Sequence, residues 1–213
     1  MEILRIPCGP LSVNSYIVYR QGTDACAVID PGDAEVLLAR MAEEGLRCTH
    51  ILLTHGHFDH IFGLSDLARA TGAEVCIHGD DAQMLADSRA SLATMLRVAL
   101  PPVTPNRLLM DGEKIEAAGC RFRVLHTPGH TQGGVCLVED DAQAAFCGDT
   151  IFFEGVGRTD FPHSDAAMLM DSITRKIFSL DDATTLYPGH GEETTVGHER
   201  KHNPYLRLGG RWE

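Results

Sequence analysis

The apolar run Ile51-Leu52-Leu53 leads straight into Thr54-His55-Gly56-His57-Phe58-Asp59-His60. Four side chains able to hold a metal, His55, His57, Asp59 and His60, stand within six residues. In an extended segment residues two apart face the same side, so His55 and His57 point together. Asp59 and His60 are direct neighbours and are expected to diverge. That split suits two metal ions side by side better than one. A helical site would space its histidines four apart, as in His-Glu-x-x-His, and this stretch does not.

Three further apolar runs end in the same manner. Arg121–Leu125 leads into His126-Thr127-Pro128-Gly129-His130, Phe146-Cys147 into Gly148-Asp149, and Leu186-Tyr187 into Pro188-Gly189-His190. Open α/β sheets bind ligands just past the carboxyl ends of their strands. A glycine beside each candidate ligand gives the backbone angles that other residues avoid. Imidazole and carboxylate donors without thiolate suit zinc, iron or manganese.

The rest of the chain alternates short apolar runs with helical spacing, which is the pattern of an α/β protein. Strands are predicted at Ile3–Pro7, Ser15–Tyr19, Ala25–Ile29, His50–Leu53, Glu74–Ile77, Arg121–Leu125, Val135–Glu139, Gln143–Cys147 and Thr184–Tyr187. Asp140-Asp141-Ala142 is read as a hairpin turn. Ala34, Leu37, Leu38 and Met41 predict a helix capped by Asp33 and stopped by Gly45. Leu92, Met95, Leu96 and Ala99 repeat that spacing and end at Pro101-Pro102. Ala166, Leu169, Met170, Ile173 and Ile177 form a third stripe after Ser164. All three stripes are read as core. No linker or low-complexity tract divides the chain, so residues 1–213 are read as a single domain.

Composition narrows the function. The chain has 213 residues, 44% of them hydrophobic and 23% charged, which excludes disordered, collagen-like and coiled-coil classes. No apolar run approaches the ~20 residues of a membrane span. Met1-Glu2-Ile3-Leu4-Arg5 does not open a secretory leader. A net charge of −12 opposes non-specific nucleic-acid binding. Seven cysteines without a Cys-x-x-Cys pair are read as buried, reduced thiols of a cytoplasmic protein. Eleven histidines are unusual, and His55, His57, His60, His130 and His190 fall in the glycine-flanked clusters. His78, His126, His163, His198 and His202 are read as ordinary surface or core residues.

The ordered set His55, His57, Asp59, His60, His130, Asp149 and His190 resembles the signature of the metallo-β-lactamase superfamily. Further stretches are similar to its type II glyoxalases (hydroxyacylglutathione hydrolases) in their shorter single-domain form. These are Val28-Ile29-Asp30-Pro31-Gly32, Thr127-Pro128-Gly129-His130-Thr131, Gly148-Asp149-Thr150-Ile151-Phe152 and Tyr187-Pro188-Gly189-His190-Gly191. Gly157-Arg158-Thr159-Asp160 and Glu199…Asn203-Pro204 carry it too. The resemblance implies a four-layer αββα sandwich of two mixed β-sheets with metals at one edge. It implies that His55, His57 and His130 hold one metal, that Asp59, His60 and His190 hold the other, and that Asp149 bridges them.

The implied cofactors are two divalent ions, zinc first, with iron or manganese as alternatives. A water between two such ions has its pKa lowered from 15.7 to about 7 and can attack an acyl carbonyl. A thiolate leaves without a strong acid, so a thioester such as S-D-lactoylglutathione fits a site whose one catalytic proton carrier is Asp59. The partner expected is therefore a small-molecule acyl thioester, with no nucleic acid and no membrane. Arg158 either meets an anionic substrate or pairs with Asp160. Asp30 either orients a ligand histidine from behind or forms a turn.

Two departures from full-length type II glyoxalases stand out. Only residues 191–213 follow the last ligand, where those enzymes carry a helical domain. Phe152-Phe153-Glu154-Gly155 also lacks the lysine expected after the bridging aspartate. The rival reading is a mononuclear iron dioxygenase acting on glutathione persulfide. A lactone or phosphodiester hydrolase of the same superfamily is the third.

Overall fold

A computed structural model describes residues 1–207. The single-domain reading of residues 1–213 therefore runs six residues past the described ones. Among the described residues, fourteen strands and five α-helices follow one another in chain order. They are β1 (Glu2–Cys8), β2 (Val13–Tyr19), β3 (Ala25–Ile29), α1 (Ala34–Glu43), β4 (Arg47–Leu52), α2 (Leu64–Thr71), β5 (Glu74–His78), β6 (Arg107–Leu109) and β7 (Lys114–Ala117). Next come β8 (Cys120–His126), β9 (Val135–Glu139), β10 (Ala144–Gly148), β11 (Ile151–Phe152), β12 (Gly155–Val156) and α3 (Ala166–Arg175). The chain continues through β13 (Thr185–Pro188), β14 (Thr194–Thr195), α4 (Val196–His202) and α5 (Pro204–Arg207). All nine predicted strands are present, with ends shifted by up to three residues.

One sheet has the order β1-β2-β3-β4-β5-β6 and the other β14-β13-β10-β9-β8-β7. Both are mixed. In the first, β1, β2 and β3 pair antiparallel and β3 through β6 pair parallel. In the second, β10 pairs parallel with β13 and antiparallel with β9. Asp140-Asp141-Ala142 turns between those last two strands as predicted, with Ala144 opposite Glu139.

Three apolar cores fix four layers. The central core joins Tyr16, Ile29 and Leu52 of the first sheet to Phe122, Leu137 and Phe146 of the second. A second core packs Ile17, Val28 and Ile51 against Leu37 and Met41 of α1 and Leu64 and Leu67 of α2. A third packs Cys136, Ala145 and Leu186 against Leu169 and Ile173 of α3 and Val196 of α4. Central strands covered on both faces read as unbroken apolar runs, which is why Ala25–Ile29 and Val135–Glu139 were legible to the residue. The result is the αββα sandwich.

Asp33 caps α1 by accepting from the Val36 amide at 3.1 Å. The cap of α3 is Asp165, one residue past Ser164, accepting from the Met168 amide. The predicted helix over Leu92–Ala99 is absent. A four-residue 3-10 turn, Ala93–Leu96, stands there, bracketed by Leu92 and Arg97 in the left-handed region. Two left-handed residues within six cannot continue an α-helix. Nor is this stripe core, because Met95 and Leu96 are exposed. No helix among the described residues is long and apolar enough to cross a membrane.

Candidate metal centre

The four ligand-bearing segments meet at one edge of the sandwich. Residues 54–60 follow β4 of the first sheet, while His130, Asp149 and His190 follow β8, β10 and β13 of the second. Backbone bonds tie the sheets together there. The Val135 amide donates to the Thr54 carbonyl (2.8 Å) and the Asn14 amide to the Gly189 carbonyl (2.7 Å). The Asn14 side chain donates to the Pro188 and Gly191 carbonyls, and the Tyr16 hydroxyl also donates to Pro188. Strand β2 thus clamps the loop that carries His190.

Seven side chains converge. Ligand atoms of His55, His57 and His130 all lie within 4.8 Å of one another, as do those of Asp59, His60 and His190. His57 Nδ1 and His130 Nε2 are 2.8 Å apart. His190 Nε2 is 3.1 Å from Asp59 Oδ2. Asp149 lies between the groups: its Oδ2 is 3.5 Å from His130, and its Oδ1 is 3.2 Å from His60 and 3.9 Å from His190. Asp59 and His60 do not diverge as expected. The chain turns at residues 57–60, where the His60 amide donates to the His57 carbonyl, so adjacent side chains enter the same group. Strand alternation does not hold in a turn.

The donor set fits cations. His55 Nε2, His60 Nε2 and Asp149 Oδ1 are buried without a hydrogen-bond partner. Buried polar atoms are nearly always satisfied, so three orphan lone pairs converging on one cage mark a place for a positive charge. The charges show the same demand for a positive charge: burial works against the His60 imidazolium, yet Asp149, Asp59 and Asp30 outweigh it and hold its pKa well above the ordinary value, so a proton on His60 competes with a cation for the same lone pair. Burial also opposes the Asp149 anion, but His60, His130 and His190 hold its carboxyl well below the carboxylate range. Burial, then His130, pushes His57 down to about 3.

A surrounding shell orients these rings. Asp30 accepts from the Thr54 amide (2.8 Å) and hydroxyl (2.6 Å), and its Oδ2 is 2.9 Å from His60 Nδ1. His130 Nδ1 donates to the Arg158 carbonyl at 2.8 Å, leaving Nε2 toward Asp149. The Arg158 side chain is exposed and held by both oxygens of Asp160 (2.8 and 2.9 Å). Its guanidinium also lies 4.4 Å over the Phe161 ring at the pocket mouth. Cys147 is buried in β10, its thiol donating to the Ala145 carbonyl.

Asp81 escaped the sequence, and so did the contacts of Glu199. Asp81 is fully buried and accepts from the Gly56 amide, the Thr131 hydroxyl and the Gly133 amide (3.1, 2.7 and 2.7 Å). It thereby links the His55–His57 loop to the His130 loop. Nothing in its sequence setting, Gly79-Asp80-Asp81, marks it as buried. Glu199 of α4 is likewise buried, accepting from Thr194, Asn203 and the Glu154 amide, and so fastens the β11–β12 hairpin. Of the remaining histidines, His78 and His126 stack on each other, and His198 stacks on Phe153.

The fold and this cage define a class. Residues 8–190 match the model of the metallo-beta-lactamase superfamily, and the chain belongs to that superfamily of metallo-hydrolases. It is 36% identical over 211 residues to hydroxyacylglutathione hydrolase GloC of Haemophilus influenzae, spanning 97% of this chain and 98% of that one. It is similar to the crystal structure of BLEG-1 B3 metallo-beta-lactamase, with TM-score 0.92, 33% identity, and 97% and 100% of the two chains covered. It is also similar to TTHA1623 in a di-iron-bound form, with TM-score 0.85 and 38% identity over 95% of this chain and all of that one.

Proposed function

We propose that the chain is a single-domain, metal-dependent hydrolase that cleaves S-D-lactoylglutathione or a related hydroxyacyl thioester. The observation that carries the metal part is the split of Asp149, one oxygen facing each histidine group, beside three orphan lone pairs. The thioester part is supported by the full-length similarity to a hydroxyacylglutathione hydrolase. In this reading His55, His57 and His130 hold one divalent ion, Asp59, His60 and His190 hold the other, and Asp149 serves both. Zinc is the first candidate, and the di-iron relative makes iron the second. When bound, such ions supply Lewis acidity toward the acyl oxygen and bring the pKa of a water molecule to about 7.

The reaction consumes one water and releases a hydroxy acid and a thiol. Asp59 lines the pocket, and its Oδ1, the oxygen not turned to His190 and His60, would take up the proton lost by the attacking water and pass it to the departing sulfur. A thiol pKa of about 8.5 makes that return undemanding. Asp30 fixes the His60 ring through Nδ1, and the Arg158 carbonyl fixes His130. The Arg158 guanidinium is the group at the mouth able to meet a substrate carboxylate, in exchange for Asp160. A cytoplasmic location belongs to the same reading, supported by seven free, buried thiols.

Gly189→Ala tests the cage from the backbone. A Cβ there would lie 2.5 Å from His60 Cε1 and closer still to Asp149 Oδ1. The expected outcome is loss of roughly one metal per chain by elemental analysis, with the fold retained by circular dichroism.

The test of function is turnover by the metal-replete protein of S-D-lactoylglutathione beside a lactone, a β-lactam and a phosphodiester. Thioester cleavage with about two ions per chain is expected. Absence of thioester turnover contradicts the substrate class. One iron per chain with oxygen consumption would replace it by the persulfide dioxygenase reading.

A further inference from the structure

The pocket above the cage has a polar floor and apolar walls. Leu11, Leu92, Met95, Leu96, Phe152 and Phe161 line it, contributed by four separate chain regions. Leu11, Met95 and Leu96 are 52%, 66% and 44% exposed, so these side chains are held in water at the mouth. The 93–96 turn that presents two of them is built rather than loose. Leu92 and Arg97 take left-handed angles at its ends (φ +65° and +59°). The Phe58 amide donates to the Ser91 carbonyl at 2.8 Å, binding the turn to the ligand loop. An apolar patch rimming a site with a few convergent polar groups is the mark of a ligand groove. Methionine adds a wall that adapts to its occupant.

The charges of the pocket point the same way. Among the residues lining it, Arg158 is the one Lys or Arg, and both Asp160 oxygens already hold it. Glutathione carries two carboxylates, for which this lining offers a single, already paired guanidinium.

We propose that the preferred substrates are thioesters bearing an aryl or branched-alkyl group beside the scissile bond, which the Leu11–Leu92–Met95–Leu96–Phe152–Phe161 wall receives. This rests on the thioesterase reading and narrows its substrate. The apolar group sits on the acyl side or the thiol side, and the experiment has an arm for each.

The metal-replete protein is assayed on S-lactoylglutathione and S-mandeloylglutathione, then on lactoyl thioesters of N-acetylcysteamine and benzyl mercaptan. Each kcat/KM is divided by that substrate's own hydroxide-catalysed rate, which removes intrinsic reactivity. The phenyl-bearing member is expected to win by at least about tenfold in one arm. Met95→Ser and Leu96→Ser, both at exposed positions, are expected to shrink that ratio through KM. Equal or lower values for the phenyl-bearing member in both arms overturn the proposal, as does a ratio indifferent to both substitutions. Turnover of lactoylglutathione with no apolar preference sinks this inference alone. No turnover of any thioester sinks the thioesterase reading with it.

Discussion

Asp149→Ala is expected to lower kcat/KM for the thioester by at least about 10³-fold and to leave fewer than two ions bound. Two cations acting on an acyl transfer are worth several kcal/mol in the transition state, and about 4 kcal/mol corresponds to about 10³ in rate. Asp149 places one oxygen toward His130 and the other toward His60 and His190. Alanine removes both and leaves two histidine groups with nothing between them. The cage then keeps six donors divided into separate halves. The measurement is steady-state kinetics with elemental analysis on the same preparation. Asp141→Ala, at a side chain 74% exposed in the β9–β10 turn and at the opposite end of β10 from Asp149, is the control expected to change neither.

Asp30→Ala carries the second largest expected effect, although Asp30 belongs to neither histidine group as a donor. Its carboxylate is filled by three hydrogen bonds, two from Thr54 and one from His60. Removing such a partner behind a metal ligand typically costs 10–100-fold in metal affinity or activity, so about that loss is expected. A stability loss of about 3–5 kcal/mol accompanies it, because His60 is wholly buried and loses a charged partner. For a chain of this size that lowers Tm by roughly 6–20 °C. Calorimetry and a competitive metal titration check the two parts separately. A variant with normal Tm and normal affinity would remove Asp30 from the account. The backbone at Asp30 adds weight to this position, since it holds a left-handed φ of +51° just after β3. Asp30 thus stands at a turn and also accepts a hydrogen bond from the His60 ring.

Most of the candidate site was legible because its segments follow apolar strands and His55, His57, His130, Asp149 and His190 each sit beside a glycine. Two of those glycines are needed for close approach: a Cβ at Gly148 would collide with Thr54 and one at Gly189 with His60 and Asp149. The central strands were legible for a related reason, being buried on both faces. What escaped depends on partners distant in sequence. Asp81 is buried only because three donors from two remote loops satisfy it. The pairing of Asp59 with His60 depends on a turn that local alternation cannot foresee. The Leu92–Leu96 stripe has helical spacing, yet the tie between Phe58 and Ser91 and the left-handed residues at its ends convert it into a pocket wall. The short edge strands β6 and β14 carry too few residues to show a period. Helix α2 carries a local signal of its own, Leu64, Leu67 and Ala68 followed by left-handed Gly72.

The most direct measurement is anomalous diffraction from crystals of the metal-loaded protein. The account predicts two peaks at the shared sheet edge, one among His55, His57 and His130 and one among Asp59, His60 and His190, with Asp149 touching both. A single ion, or ions seated away from these seven side chains, would contradict it.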